Sequence, residues 1–308
     1  MTSKIYDMVI IGAGPAGMTA GIYAARAGLD VVMIEKGAPG GQMVSTYEID
    51  NYTGFDTIGG PELSMKMFEH TQKFGVEYAY GNVTKVEDQG ELKTVITDTG
   101  SFTGKTVLVA TGAINRKLGV PGEEELAGKG VSWCAICDGA FYRGKEVAVV
   151  GGGNSAIEEA LYLAGIVGKV KIIHRRQGFR ADKISLERAQ KHEKIEFILD
   201  SVVERFNGEN GKLASVTVKN VETGETSDIT ASGAFLYVGM DPVTEMVKDL
   251  VELKNGYVLT NDNMETNVKG IYAVGDVRLK ELRQVVTAAN DGAIAAQNAI
   301  KYLESLKN

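Results

Sequence analysis

The sequence predicts an α/β protein that contains two copies of one strand–turn–helix–strand unit. The first copy occupies residues 5–35 and the second occupies residues 146–173. In both, a short apolar run leads into a glycine-rich turn, a helical segment and a second apolar run. Such runs are typical of parallel strands that are buried on both faces. This internal repeat, in a chain of 308 residues, indicates two domains that each bury a core.

The first glycine turn is Gly12-Ala-Gly-Pro-Ala-Gly17, between a predicted strand at 5–11 and a predicted helix at 18–27. A G-x-G-x-x-G turn lets the backbone approach a pyrophosphate at a helix N-terminus, where free N–H groups favour anions. The next strand, 31–34, ends in Glu35, a suitable acceptor for ribose hydroxyls. Alone the turn is weak evidence, but strand, helix and acid together predict a dinucleotide site. The predicted contacts are Gly12, Gly14, Pro15, Ala16, Gly17, Glu35 and Lys36.

The second glycine turn, Gly151-Gly-Gly-Asn-Ser-Ala156, is of the G-x-G-x-x-A type, but its unit lacks the acid. His174 stands in the register of Glu35, and Arg175 and Arg176 follow it. A carboxylate there would repel a ribose 2′-phosphate, whereas arginines would bind one. A solvated basic turn is the alternative. The pattern predicts NADPH at the second unit and, with an unphosphorylated ribose at the first, FAD as its natural counterpart. The predicted contacts are Gly151, Gly153, Asn154, Ser155, Ala156, Glu158, His174, Arg175, Arg176 and Arg180.

The only two cysteines lie in the stretch Trp133-Cys-Ala-Ile-Cys-Asp-Gly139. Two cysteines in a C-x-x-C pair can close a disulfide and reopen it as a dithiol, and a thiolate is stabilised where a helix begins. Half of a zinc site and a bridge that merely holds a turn are the alternatives. Zinc needs four ligands, yet no second cysteine pair exists and the three histidines are scattered. The stretch therefore predicts redox exchange and no metal.

Composition excludes several classes of function. The net charge of −7 argues against nucleic-acid binding, because no general basic field exists. Sparse cysteine usage fits a reducing cytoplasm. Residues 8–25 carry no charge, as a membrane span or signal peptide would require, but glycines and Pro15 interrupt them. This segment is better interpreted as strand, turn and helix, and no membrane span is predicted.

The other segments fit the same α/β alternation. Residues 37–60 are glycine-rich and predict a long loop over a cofactor. Helical spacing continues over 61–74, β-rich segments follow at 76–87 and 92–109, and residues 183–230 are predicted to alternate helix and strand. Near the C-terminus, a strand that ends in Gly275-Asp276 precedes a small-residue helix at 287–300 and is placed to contact a ribitol and pyrophosphate.

Together these motifs resemble one family, the low-molecular-weight thioredoxin reductases of bacteria, over essentially the whole chain. The resemblance depends on Gly12–Gly17, Gly40–Gln42, Ala110–Gly112, Cys134–Gly139, Gly151–Asn154, His174–Arg180, Gly275–Val277 and Arg283-Gln284. Trp133 and Asn290 depart from it, since Tyr and Gly stand there in many relatives.

The resemblance implies two Rossmann-like, three-layer dinucleotide-binding domains, the second inserted in the first. The FAD-binding domain would comprise residues 1–115 and 244–308, and the NADPH-binding domain with the cysteine pair would comprise 116–243. Members are usually homodimers, and their partner is thioredoxin. The flavin contacts carried over are Gly41, Gln42, Asn51, Val83, Ala110, Thr111, Gly112, Gly275, Asp276, Arg283, Gln284 and Val285.

The resemblance also assigns three catalytic roles. Cys137 would face the flavin and form a transient thiol adduct with it. Cys134 would be the interchange thiol that attacks the disulfide of thioredoxin. Asp138 would be the acid–base group for the dithiol and the reduced flavin, although an N-cap for the following turn is its common alternative.

The order of these motifs predicts a domain motion. The cysteine pair and the second glycine turn lie close in sequence and belong to the same inserted domain. Both the disulfide and the nicotinamide must reach one flavin ring held by the other domain. A single fixed orientation of the inserted domain does not bring both of them to that ring. We therefore expect the inserted domain to rotate on paired linkers, near 112–122 and 239–243, between the two half-reactions.

Four other functions compete with this interpretation. A related flavoprotein could reduce a peroxiredoxin or a glutaredoxin-like partner, but such enzymes often carry an extra N-terminal dithiol domain, and in this chain the first strand begins by residue 5. A ferredoxin–NADP oxidoreductase of similar architecture would lack the cysteine pair. A thiol-based redox sensor would bind flavin without steady NADPH turnover. A thioredoxin-type binding module would have no use for two dinucleotide units.

Overall fold

The computed structural model describes residues 4–46 and 49–306 and divides into two compact units. Unit 1 comprises Met1–Ile114 and Asp241–Asn308, and unit 2 is the continuous segment Asn115–Met240 between them. The chain thus passes between units at 114/115 and 240/241, where the sequence predicted 115/116 and 243/244.

In chain order, the strands are β1 Ile5–Ile11, β2 Val31–Glu35, β3 Glu77–Tyr80, β4 Val83–Gln89, β5 Leu92–Thr97, β6 Ser101–Val109, β7 Ala113–Asn115, β8 Val131–Ser132, β9 Glu146–Gly151, β10 Lys169–Ile173, β11 Ile195–Ile198, β12 Ser201–Glu209, β13 Lys212–Asn220, β14 Thr226–Thr230, β15 Gly233–Tyr237, β16 Met240–Pro242, β17 Leu253–Lys254, β18 Tyr257–Val258 and β19 Ile271–Ala273. The helices are α1 Pro15–Arg26, α2 Gly60–Lys73, α3 Ala135–Asp138, α4 Asn154–Ala164, α5 Lys183–Lys191 and α6 Val285–Ser305, with 3₁₀ turns at Gly41–Ser45, Gly139–Tyr142, Glu245–Val247 and Gly275–Val277.

Unit 1 is built on one sheet in the order β3-β2-β1-β6-β5-β4, with β19 paired to β6. Strands β3, β2, β1, β6 and β19 are parallel, and β4 and β5 are antiparallel. Alternate residues of β1 face two different cores: Met8 and Ile10 pack with residues of α1 and α6, whereas Val9 and Ile11 pack under β4 and the segment around Val247. This alternation produces a three-layer arrangement.

Helix α1 begins three residues before the predicted start, because Pro15 occupies its first turn. Proline is favoured there, since its missing N–H has no partner within the helix anyway. The glycine turn is thereby fused directly to the helix N-terminus. Residues 8–25, the uncharged segment, are the last four residues of β1, the turn and most of α1. Among the described residues no helix has the length and hydropathy to cross a bilayer.

Unit 2 repeats the design with a parallel sheet in the order β11-β10-β9-β15-β8. Helices α4 and α5 cover one face, and the antiparallel sheet β12-β13-β14 covers the other. The prediction of alternating helix and strand over 183–230 is therefore wrong after β11. Residues 201–230 instead bury one face of a sheet: Val216 and Val218 alternate along β13, and a register shift after Val203 brings Phe206 of β12 to the same side.

Candidate active site

The first glycine turn is closed on one side and open on the other. Gly12 has a φ of +105°, and a Cβ there would lie 2.4 Å from the carbonyl oxygen of Ala110. A Cβ on Gly17 would lie 2.1 Å from the oxygen of Gly12, whereas a Cβ on Gly14 would meet nothing within 4 Å. Because Gly12 and Gly17 have no side chains, the turn packs closely on itself and on the end of β6. The third glycine leaves an open backbone surface at the N-terminus of α1, as a pyrophosphate requires.

Glu35 ends β2, and its carboxylate turns back over this glycine turn. Oε2 accepts a hydrogen bond from the backbone N–H of Ala13 at 2.9 Å, and Oε1 accepts from Lys36 and Gly37 at 2.8 and 2.9 Å. A carboxylate offers about four acceptor positions, so roughly one remains for a ribose hydroxyl. Predicted site residue Val83 is buried at the start of β4, two residues after Gly81, whose N–H donates to the Glu35 backbone oxygen at 3.0 Å.

The other predicted flavin contacts converge on the same edge of unit 1. A Cβ on Gly41 would lie 3.4 Å from Gly14 Cα, and one on Gly275 would lie 3.1 Å from Ala16 Cβ. The carboxyl ends of β1, β6 and β19 meet at this edge, where ligands bind in open α/β sheets. Three polar contacts fix its rim: Gln42 Nε2 to Ala113 O at 2.8 Å, Thr111 Oγ1 to Val243 O at 2.6 Å, and Asn51 Nδ2 to Gln284 Oε1 at 3.2 Å.

Two polar atoms at this edge are buried without a hydrogen-bond partner among the described residues, Asp276 Oδ1 and Arg283 Nε. Burial raises the pKa of Asp276, while the charges of Lys280 and Arg283 act in the opposite direction. The Arg283 guanidinium lies over the ring of Tyr257, 4.4 Å from its centroid. An acceptor and a donor left unmatched in this way suit a ligand that carries hydroxyl and carbonyl groups, as FAD does. Val285 begins α6 directly behind them.

The second glycine turn is shaped by different neighbours. A Cβ on Gly151 would lie 2.4 Å from the carbonyl oxygen of Tyr237, and one on Gly152 would lie 2.3 Å from His174 Cε1. The His174 ring covers the turn, stacks on Phe179 at 4.7 Å between centroids, and has Nε2 3.0 Å from the oxygen of Gly178. A Cβ on Gly153 would meet nothing within 4 Å, so this turn also opens at the N-terminus of its helix, α4.

The predicted arginines lie in the segment after β10, whose end pairs with the end of β9 where this turn begins. The Arg180 N–H donates to the Gly152 oxygen at 2.9 Å, which places the Arg180 backbone against the turn. Arg175 and Arg176 are exposed, and neither forms an ion pair within the described part of the chain. Asn154 Oδ1 accepts from Asp182 N–H at 2.8 Å. Ser155 and Glu158 are exposed on the first turns of α4, and Ala156 is buried beneath them.

Cys134 and Cys137 form a disulfide, with their Cα atoms 5.3 Å apart. Cys134 is the N-cap of α3, and its Sγ accepts a hydrogen bond from the Cys137 N–H at 3.2 Å. Ser132 Oγ accepts from Cys134 N–H at 3.0 Å and so holds the loop from the other side. The N–H at Sγ favours Cys134 as the thiolate of the reduced pair, although Cys137 is the more exposed of the two.

Asp138 is half-buried at the end of α3. Asp138 occupies the N-cap position of the 3₁₀ turn Gly139–Tyr142 that follows, as the alternative interpretation expects, but its side chain makes no capping hydrogen bond there. Trp133 is half-buried, and its Nε1 lacks a hydrogen-bond partner within the described residues. In the parts of the chain that the structure describes, no group of three or more His, Cys, Asp or Glu side chains could hold a metal ion.

Sequence reasoning missed two residues behind the disulfide. Tyr237, at the end of β15, accepts a hydrogen bond at Oη from the Ala135 N–H at 3.1 Å. Burial, with the neighbouring charge of Glu159, raises the pKa of Tyr237. Glu159 Oε2 is buried without a partner among the described residues, and burial followed by the charge of Glu158 raises its pKa to about 7. The Glu158-Glu159 pair in the helix after the second turn was the one available signal.

This fold and site define a class of flavin- and nicotinamide-dependent disulfide reductases. The chain matches the pyridine nucleotide-disulphide oxidoreductase family over residues 6–292 and belongs to it. The predicted fold class and the FAD and NADPH pair are thereby confirmed.

Particular relatives are close in sequence and structure. A thioredoxin reductase of Bacillus subtilis is 52% identical over 305 residues, which are 99% of this chain and 96% of that protein. A crystal structure of Lactococcus lactis thioredoxin reductase matches with a TM-score of 0.96 at 53% identity, covering 97% of this chain and 99% of that one. The T. acidophilum thioredoxin reductase matches with a TM-score of 0.93 at 33% identity, over 99% and 100% of the two chains. The resemblance derived from the sequence motifs is confirmed.

Proposed function

We propose that this chain is a thioredoxin-disulfide reductase that passes electrons from NADPH through FAD to the Cys134–Cys137 disulfide and then to thioredoxin. The disulfide at the start of α3 carries the proposal, because it is an accessible redox pair in the same unit as a glycine turn and a group of exposed arginines. Relatives of about half-identical sequence that are named thioredoxin reductases support the choice of acceptor.

Each unit contributes a distinct part of the chemistry. FAD, when bound, supplies the two-electron acceptor between the nicotinamide and the disulfide. In unit 1 the turn Gly12–Gly17 binds its pyrophosphate, Glu35 accepts from the adenosine ribose, and Asp276 with Arg283 orients the flavin end. In unit 2 the turn Gly151–Ala156 binds the NADPH pyrophosphate, and the arginines from 175 to 180 bind the 2′-phosphate.

The exchange with thioredoxin follows from the reduced pair. The Cys134 thiolate attacks one sulfur of the partner disulfide, which forms a mixed disulfide and releases the other partner sulfur as a thiolate. Cys137 then attacks Cys134, which breaks the mixed disulfide, restores the internal one and releases the partner as a dithiol. Two electrons and two protons leave the enzyme in total. Asp138, next to Cys137, holds or releases the proton of that thiol.

The surface beside the pair suits a protein substrate. Phe141, four residues after Cys137, has 74% of its surface exposed, which is unusual for an aromatic side chain. An exposed aromatic group next to the reactive sulfurs offers an apolar anchor for a partner protein. We also place the enzyme in the cytoplasm and expect a homodimer, on sparse cysteine usage and on the family resemblance.

Rotation of unit 2 relative to unit 1 completes the proposal. The disulfide and the NADPH turn share unit 2, and the flavin contacts lie in unit 1, so the two must be presented in turn. A cleavable covalent link that joins the units should leave only one half-reaction, measured by rapid mixing with NADPH or with reduced thioredoxin. Cleavage of the link, as the control, should restore turnover. Full turnover while the units stay joined would contradict rotation.

The direct test is the steady-state activity of the purified protein. Yellow protein with a flavin spectrum should oxidise NADPH in the presence of oxidised thioredoxin and a disulfide reporter. NADPH should be preferred over NADH by about 10-fold or more, because charge-assisted contacts to the 2′-phosphate are lost with NADH. A flavin-containing protein that reduces its bound flavin with NADPH but leaves thioredoxin oxidised would exclude this substrate and favour a sensor or another dithiol partner.

A further inference from the structure

Asp291 is a buried carboxylate of α6 that contacts the start of the 3₁₀ turn Gly275–Val277. It is 3% exposed. Oδ2 accepts hydrogen bonds from the backbone N–H of Gly275 at 3.0 Å and from Lys280 Nζ at 2.9 Å, and Oδ1 accepts from Arg278 Nη1 at 3.2 Å. One side chain therefore holds the start of the 3₁₀ turn Gly275–Val277 and both cations that follow it.

These contacts fix the backbone immediately before Asp276. Gly275 has a φ of +73°, and a Cβ on it would come within 3.1 Å of Ala16 in α1, so the position tolerates little movement. The next side chain is Asp276, whose Oδ1 is buried without a partner among the described residues. On the far side, Arg278 Nε donates to Thr260 Oγ1 at 2.8 Å. The turn is thus held from behind by Asp291 and from the side through Arg278.

The cluster of Asp291, Arg278 and Lys280 is unbalanced in charge. Its ion pairs have side-chain exposures of only 4%, 14% and 10%, yet it sets one carboxylate against two cations. Asp276 and Arg283 also interact electrostatically across this turn, and together the five groups sum to one excess positive charge when both acids are ionised. An excess buried charge is costly unless an opposite charge completes it. FAD, a dianionic diphosphate, is such a ligand.

We propose that Asp291 is a positioning residue for FAD: it holds Gly275 and Lys280 so that Asp276 and the excess positive charge meet the cofactor. The inference rests on the proposed binding of FAD by unit 1. Loss of the carboxylate is expected to reduce the affinity for FAD by a larger factor than a comparable loss elsewhere in unit 1, without a larger fall in the melting temperature of the apoprotein.

Unit 1 contains a matched control in Asp7. Its carboxylate also accepts from one backbone N–H, that of Asp30 at 3.1 Å, and from one lysine, Lys105, at 2.8 Å. Asp7 lies in the first half of β1, away from the carboxyl ends of the strands where the glycine turn begins. Asp7→Asn therefore removes a backbone contact and a lysine ion pair from the same unit without touching the turn at Gly275, at a side chain that is 24% exposed against 4% for Asp291.

The experiment compares flavin-stripped Asp291→Asn, Asp7→Asn and wild-type protein. The dissociation constant of FAD is measured by the quenching of flavin fluorescence, and the melting temperature of each apoprotein is measured separately. Asp291→Asn makes the cluster one charge more positive, which alone would favour the diphosphate, so a loss of affinity must come from the released turn at Gly275. We expect Asp291→Asn to raise the FAD dissociation constant at least 10-fold and Asp7→Asn to change it less than threefold. Equal changes in both variants, or a change below threefold in Asp291→Asn, would overturn the inference.

A milder variant covers the case in which Asp291→Asn does not fold. Thr260→Val frees Arg278 Nε and leaves all three charges of the cluster in place. It should raise the FAD dissociation constant at least threefold, with an apoprotein melting temperature no lower than that of Asp7→Asn. Unchanged FAD binding in this variant would overturn the inference. Wild-type protein that bound no FAD would instead contradict the proposed function, and the inference with it.

Discussion

Cys134→Ser and Cys137→Ser should each lower the rate of turnover with thioredoxin at least ~10³-fold. The removal of one member of a catalytic unit costs about as much activity as the removal of all of them. Each variant removes one sulfur of the only disulfide, so no internal disulfide is left to carry two electrons to the partner. Reduction of the bound flavin by NADPH should persist in both variants and serves as the control for an intact nicotinamide site. Turnover above one-tenth of the wild-type rate in either variant would remove the disulfide from the pathway.

The same two variants separate the roles of the sulfurs. The N–H of Cys137 donates to Cys134 Sγ, which favours a thiolate on Cys134. Cys137→Ser should therefore react faster than Cys134→Ser with a single-cysteine thioredoxin that is activated as a disulfide with thionitrobenzoate. Attack by the enzyme thiolate forms the mixed disulfide and releases thionitrobenzoate, and both products are measured at short times, by mass spectrometry and by absorbance. Cys137 is the more exposed sulfur, and faster trapping through it would reverse the assignment of the interchange thiol.

The two glycine turns were predictable because their signal is local. Gly12 directly follows β1 and Gly151 ends β9, each shortly before a helix, and at both positions a Cβ would collide with a backbone oxygen at the end of a neighbouring strand. The residue pattern, its spacing and the lack of room for a side chain all indicate the same turn at these two positions. The fold class could therefore be predicted from the sequence. The start of α1 was missed by three residues, because Pro15 was assigned to the turn when it is the first residue of the helix.

What the sequence did not show depends on contacts between distant residues. Tyr237 is hydrogen-bonded to Ala135, 102 positions away in sequence, and Asp291 to Gly275, 16 positions away. No periodicity in the sequence indicates either pair. His174 illustrates a subtler gap. Its register predicted a cofactor contact, whereas its position over Gly152 explains why that glycine has no side chain. A one-dimensional spacing identifies which residues share a loop and leaves open which of them pack against each other.

The arginines after β10 carry the second large prediction. Arg175 and Arg176 are exposed in the segment that follows β10, with no ion pair among the described residues to neutralise them. A hydrogen bond to a charged group contributes about 1.5–3 kcal/mol, which corresponds to a factor of roughly 10 to 150. Arg175→Ala and Arg176→Ala should therefore each lower kcat/KM for NADPH by about that factor and leave kcat/KM for NADH within about threefold.

Arg188→Ala is the matched control, since it removes an exposed arginine of the same unit from the last turn of α5, outside the loop that follows β10. It should change neither nucleotide's kcat/KM by more than about twofold, because an exposed charge outside the site acts only through a screened field. A second readout is the affinity for adenosine 2′,5′-bisphosphate, which carries the 2′-phosphate without a nicotinamide and needs no flavin. An equal loss with NADPH and NADH would mean that these arginines support the turn as a whole, and the 2′-phosphate site would then have to be sought elsewhere in unit 2.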